Sequence, residues 1–122
     1  MIYVDTGAYL ARYLSRDQYH QKAKAFWKKI RKNQESCFTS NFVLDETFTL
    51  LGRWAGYDFA SQKAAIIYAS KLLIILRPTR EDEMKAIDFF RKYADQNVSF
   101  TDCISIVLMR NKKIKRVKCV VS

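Results

Sequence analysis

Asp5, Glu46 and Asp102 each stand where a strand hands over to a helix, or within a helix's first turns. Asp5 follows the short apolar run Ile2-Tyr3-Val4, and Glu46 lies in Ser40-Asn41-Phe42-Val43-Leu44-Asp45-Glu46-Thr47. Asp102 opens the apolar stretch Cys103-Ile104-Ser105-Ile106-Val107-Leu108-Met109. Parallel α/β folds gather such positions at the carboxyl edge of one sheet, where ligands bind. Carboxylates brought together there repel unless a divalent cation holds them, and Mg²⁺ suits both oxygen ligands and phosphate substrates. On a chain of formal net charge +10, this chemistry points to metal-dependent cleavage of a nucleic acid.

Each acid also has an ordinary explanation. Asp is a favoured helix N-cap, and Asp5-Thr6 begins a helix. Ser99-Phe100-Thr101-Asp102 matches a capping box, in which the acid returns to the backbone of Ser99. Glu46 is harder to dismiss, because its helix is otherwise built mostly from apolar residues and Thr. Its neighbour Asp45 points about 100° away around the helix, so the two do not easily face one point. Arg53, two turns beyond Glu46, is either a surface or paired arginine or a grip for a phosphate. His20, the single histidine, reads as a packing or surface residue rather than a general base.

The elements that must position these acids can be read from periodicity and punctuation. Ile2 to Asp5 is a first strand, followed by a short helix through Leu14. Asp17 is placed to cap a second helix, along which His20, Ala23, Phe26, Trp27 and Ile30 recur at helical spacing. Cys37 to Thr39 is a short strand. A helix from Asn41 to Trp54 carries Leu44, Phe48, Leu51 and Ala55 on one face, with Gly56 at its end. Another covers Phe59 to Ser70, and Leu72 to Leu76 reads as a buried parallel strand ending at Arg77-Pro78. Thr79 caps a helix carrying Met84, Ile87, Phe90 and Ala94, with acids in its first turn. Asp102 to Arg110 is a buried helix, apolar on nearly every side, and Val117 to Val121 is the last strand. Strands alternating with helices imply a three-layer α/β/α sandwich around a central parallel sheet, with right-handed crossovers.

Composition bounds the answer. A sequence of 122 residues with 49% hydrophobic content forms one domain spanning 1–122 around a single core. The 22 Lys and Arg against 12 Asp and Glu favour a polyanionic partner. Two dense basic stretches, Lys22 to Lys32 and Lys112 to Lys118, are solvated faces that together could steer RNA. Cys37, Cys103 and Cys119 lack zinc-ligand spacing, and an odd count argues against a disulfide framework. Three thiols in a reducing compartment, no targeting segment and no bilayer-length apolar run give a soluble cytoplasmic protein, with no membrane partner, as the expectation.

Three stretches in order carry a family resemblance: Ile2-Tyr3-Val4-Asp5-Thr6-Gly7-Ala8-Tyr9-Leu10, then Thr39 to Thr47, then Val98-Ser99-Phe100-Thr101-Asp102-Cys103 continuing to Met109-Arg110. Together the chain resembles the PIN domain, specifically the toxin nucleases of the VapBC toxin–antitoxin family. The resemblance implies a PIN-like sandwich, single-strand-selective endoribonuclease activity, and Mg²⁺ or Mn²⁺ held by Asp5, Glu46 and Asp102. It implies that Thr6 and Thr101 are adjacent hydroxyls able to orient ligands. It also implies an RNA substrate, a cognate antitoxin that covers the active-site groove, and a homodimer. One departure stands out. The family commonly carries a further acid just after its last core strand, where this sequence reads Val117-Lys118-Cys119-Val120-Val121-Ser122. The alternative is therefore a catalytically weakened module that binds RNA or an antitoxin without efficient cleavage. A phosphoesterase of the haloacid dehalogenase type would need a second Asp where Gly7 stands.

Overall fold

The computed structural model describes residues 1–118. Its elements, in chain order, are β1 (Ile2–Val4), α1 (Thr6–Tyr13), α2 (His20–Asn33), β2 (Cys37–Ser40), α3 (Asn41–Ala55), α4 (Tyr57–Ala69), β3 (Leu73–Leu76), α5 (Arg80–Lys92), α6 (Phe100–Lys112) and β4 (Val117–Lys118). The strands form one sheet in the order β3-β2-β1-β4, parallel at every pairing. Every residue of β1 and β2 is buried, as strands covered by helices on both faces must be. The α/β/α arrangement read from the alternation of elements is thus the one found.

The strand order places the site. From β1 the chain moves outward through β2 to β3, then returns to the opposite side of β1 to lay down β4. The order therefore reverses between β1 and β4, and crevices for ligands open beyond the carboxyl ends of strands at such a reversal. Asp5 is the first residue after β1.

Local chemistry fixes the helix ends. Asp5 caps α1, Ser40 caps α3 through a 3.0 Å bond from the Val43 amide, and capping boxes open α5 at Thr79 and α6 at Ser99. Gly56 links α3 to α4 at φ 93° and ψ 151°, backbone open essentially only to glycine. At Gly52 the ring of Tyr57 comes so close that a Cβ would lie 2.4 Å from it, which lets α4 fold back tightly on α3.

Three expectations need correction. Asp17 does not cap α2; its carboxylate accepts from the Tyr19 amide in the preceding turn, and the helix opens at His20 without a side-chain cap. The strand β3 is an edge strand, so Ile74 is 45% exposed while Leu76 is buried. On α5 the inward residues are Ala86 and Phe89, whereas Met84 and Ile87 face outward, Phe90 is half-exposed with its ring edge-on to Phe100, and Ala94 lies beyond the helix. Of the last strand, Val117 and Lys118 are seen paired to β1, and 119–121 lie outside the described residues. By contrast, Ala23, Phe26, Trp27 and Ile30 do turn to the core from α2, as do Leu44, Phe48 and Leu51 from α3.

Candidate active site

Asp5 is held by the turn it caps: its Oδ1 accepts from the Thr6 amide at 2.8 Å. The hydroxyl of Thr6 then reaches across to α3, donating to Glu46 Oε2 at 3.3 Å. Two of the three acids are thereby joined through one residue at the β1–α1 junction. Asp102 arrives on the first turn of α6, with its Oδ2 accepting from the Ser99 amide at 3.2 Å and its own amide donating to Ser99 Oγ. The rings of Phe42 and Phe100, 6.2 Å apart and edge-on, pack the start of α3 against the start of α6.

The charges of Asp5 and Asp102 are felt at Glu46. Partial burial pushes the Glu46 carboxyl above its ordinary range; its bond from Thr6 opposes this, and the charges of Asp102, Asp5 and Asp45 push it further up. Asp45 is exposed and Glu46 half-buried, so Glu46 is the one that turns inward, as their positions around the helix required. Thr101 is half-buried in the first turn of α6. Arg53 is exposed on the last turn of α3. His20 sits away from the acids, its Nδ1 2.8 Å from the carbonyl oxygen of Ala11.

Below the carboxylates lies a polar floor that sequence patterns gave little reason to expect. Tyr3 is fully buried, and its hydroxyl meets Ser105 Oγ at 2.8 Å, a contact between β1 and α6. Burial raises its pKa, the hydroxyls of Ser105 and Ser40 oppose the rise, and the charges of Asp5 and Asp102 add to it. Thr39 donates to the Val4 carbonyl at 2.9 Å and Thr47 to that of Val43 at 2.7 Å, so the hydroxyls around the site are bonded. Tyr in a strand and Ser in an apolar helix resemble ordinary core residues; their only signal is two-residue spacing from Asp5 and three-residue spacing from Asp102.

Whether these residues suit a divalent cation is decided by their donors. Among the described residues, no three His, Cys, Asp or Glu side chains converge closely enough to cage an ion by themselves. The donors are nonetheless all oxygen, and the charges of Asp102 and Asp5 add to the raised proton affinity of Glu46. Mg²⁺ commonly keeps several waters and takes only one or two protein carboxylates. The set fits a hard cation bound partly through water. The buried thiols offer nothing comparable: burial lifts Cys37 to about 11 and also raises Cys103, and Cys119 lies outside the described residues.

A PIN domain profile matches residues 2–119, nearly the whole chain. The chain belongs to the PIN domain family. The 23S rRNA-specific endonuclease VapC20, found in two strains of Mycobacterium tuberculosis, is 34% identical over 115 residues, covering 94% of this chain and 85% of that protein. The crystal structure of Mycobacterium tuberculosis VapC20, described as a sarcin–ricin loop cleaving toxin, superposes with a TM-score of 0.87 at 31% identity. It covers 98% of this chain and 88% of that one. The resemblance carried by the three motif stretches is therefore the family's.

Proposed function

We propose that this PIN domain is a toxin endoribonuclease that hydrolyses RNA phosphodiester bonds, with Asp5, Glu46 and Asp102 holding Mg²⁺ or Mn²⁺. The observation that carries the reading is the pairing of Glu46 with Thr6 beside Asp5, within the field of Asp102, at the point where the strand order reverses. The bound cation supplies positive charge for the phosphoryl oxygens and makes water a stronger nucleophile at neutral pH.

The chain's own groups do the rest. Asp5 accepts from the Thr6 amide and Asp102 from the Ser99 amide, and these bonds fix the orientation of each carboxylate. Glu46, whose proton affinity is raised, is suited to take a proton from an attacking water. Thr6 orients Glu46 through the hydroxyl bond. The +10 charge draws the polyanion in. The exposed apolar side chains Trp54, Tyr57, Ile66 and Tyr68 support protein partners, namely a cognate antitoxin and a second copy of the chain. Among the described residues, no helix is long and apolar enough to cross a membrane.

Incubating the purified protein with 23S rRNA, and with an isolated sarcin–ricin loop oligonucleotide, tests the reading. Cleavage that requires Mn²⁺ or Mg²⁺, stops on chelation and is lost in Asp5→Asn is expected. Binding of RNA without cleavage at any metal concentration would instead establish the weakened module.

A further inference from the structure

The acids stand on separate pieces of chain: Asp5 after β1, Glu46 on α3 and Asp102 on α6. Something must hold those pieces at a fixed separation, since like charges push them apart. Tyr3 and Asp5 are two residues apart in extended chain and so project on the same side of the sheet. Ser105 and Asp102 are three residues apart on α6 and so share a helix face. The buried contact between Tyr3 and Ser105, 2.8 Å long and spanning 102 residues of sequence, thus lies one layer beneath the two aspartates. Ser40, the cap of the helix that carries Glu46, stands beside the same phenol.

We propose that Tyr3 and Ser105 form a positioning couple that sets the spacing of Asp5 and Asp102, and through it the affinity of the site for its divalent cation. The inference rests on the metal-dependent reading of the site given above. Neither residue touches substrate. The phenol is a spacer: its ring fills the core beside the sheet, and its hydroxyl ties β1 to α6 where no backbone bond does. A buried hydroxyl pair also has a defined length, whereas apolar packing alone would let α6 slide by a few tenths of an ångström.

The couple predicts a specific split between stability and metal binding. Outer-shell partners of metal ligands commonly change metal affinity by about 10- to 100-fold. Tyr3→Phe keeps the ring and removes only the bond, and Ser105→Ala removes it from the other side. Titration of Mn²⁺ into the full chain, followed by the paramagnetic signal of free Mn²⁺, is expected to show about 10-fold weaker binding in each variant. Tyr3→Phe/Ser105→Ala is expected to be no weaker than the worse single variant, because one bond is removed either way. Thermal unfolding of the same samples in chelator separates packing from positioning. Unchanged Mn²⁺ affinity with a lowered melting temperature would overturn the proposal, and so would simply additive losses in the double variant. If Tyr3→Phe does not fold, Ser105→Ala alone decides by the same Mn²⁺ titration. Should the unaltered chain bind no Mn²⁺, the metal-dependent reading itself falls and takes this one with it. Binding in the unaltered chain with no change in either variant removes only the couple.

Discussion

At the scale of single residues, Asp102 does two jobs that can be pulled apart. Its Oδ2 closes the capping box on Ser99, while its charge acts on Glu46. Asp102→Asn leaves an oxygen that can still accept from the Ser99 amide, so stability is expected to change little while cleavage falls more than about 100-fold. Ser99→Ala reverses the pattern, costing about 1 kcal/mol of stability with most of the cleavage kept. Melting temperature and initial cleavage rate, measured on both variants, check the separation; parallel losses in the two would count against it. Glu46 gives a second prediction. Its folded-state pKa is raised, so the folded chain binds more protons than the unfolded chain between the ordinary glutamate pKa and the raised value. Stability in chelator therefore falls as pH rises through that window. Glu46→Gln should melt higher than the parent at pH 7 and equal to it at low pH. A melting temperature below the parent's at neutral pH would show that the carboxylate is stabilised there, contrary to its environment. The acids were legible as candidates because Asp5 and Asp102 stand at helix starts and Glu46 interrupts a largely apolar helix. Tyr3 and Ser105 were not, since the bond that joins them crosses the fold and leaves no local trace.

At the scale of elements, punctuation was legible and the solvent side of the outer elements was not. Thr79 and Ser99 announced their helices, and both capping boxes are present with reciprocal bonds. The run Leu72–Leu76 looked buried because a continuous apolar stretch usually is. It lies instead at the sheet edge, where one side lacks a neighbouring strand. The outward turn of Met84 and Ile87 has a related cause: a helix can bury only one stripe when one neighbour covers it, and Phe90, though 45% exposed, still sets its ring edge-on to Phe100 of α6. Asp17 failed as a cap because its carboxylate was taken by the Tyr19 amide two residues on, a local turn that competes with helix initiation. Gly56 offers the sharpest test at this scale. An added Cβ there meets nothing within 4 Å, so any cost of Gly56→Ala is conformational rather than steric contact with neighbours. The substitution is expected to destabilise by about 1–3 kcal/mol, read as a lower urea midpoint with an unchanged slope. A neutral result would mean that the α3–α4 turn relaxes to an ordinary backbone shape at no cost.

For the whole molecule, the charge balance makes a statement about where RNA runs. The two basic stretches are not equivalent. Arg116 is paired with Glu35, and the ammonium of Lys118 lies 4.9 Å from the centre of the Phe26 ring, so part of the second stretch is committed to the fold. On α2, Lys24, Lys28 and Arg31 are exposed, and with Arg12 and His20 they line an open groove of about 550 Å³. That groove meets α1 at Arg12, near the end away from Asp5, and the eight-residue helix is about 12 Å long. A single strand crossing both would place phosphates on α2 within a few nucleotides of the bond to be cut. Each phosphate neutralised on single-stranded RNA contributes about 0.7 to the slope of log affinity against log salt. Lys24→Gln/Lys28→Gln is then expected to lower that slope by about 1.4 for RNA binding in chelator, where no cleavage intervenes. Lys112→Gln/Lys113→Gln, at the exposed end of α6, provides the comparison. A larger loss from that pair than from the α2 pair would route the strand along the other basic face. The path would then leave the acids from the α6 side.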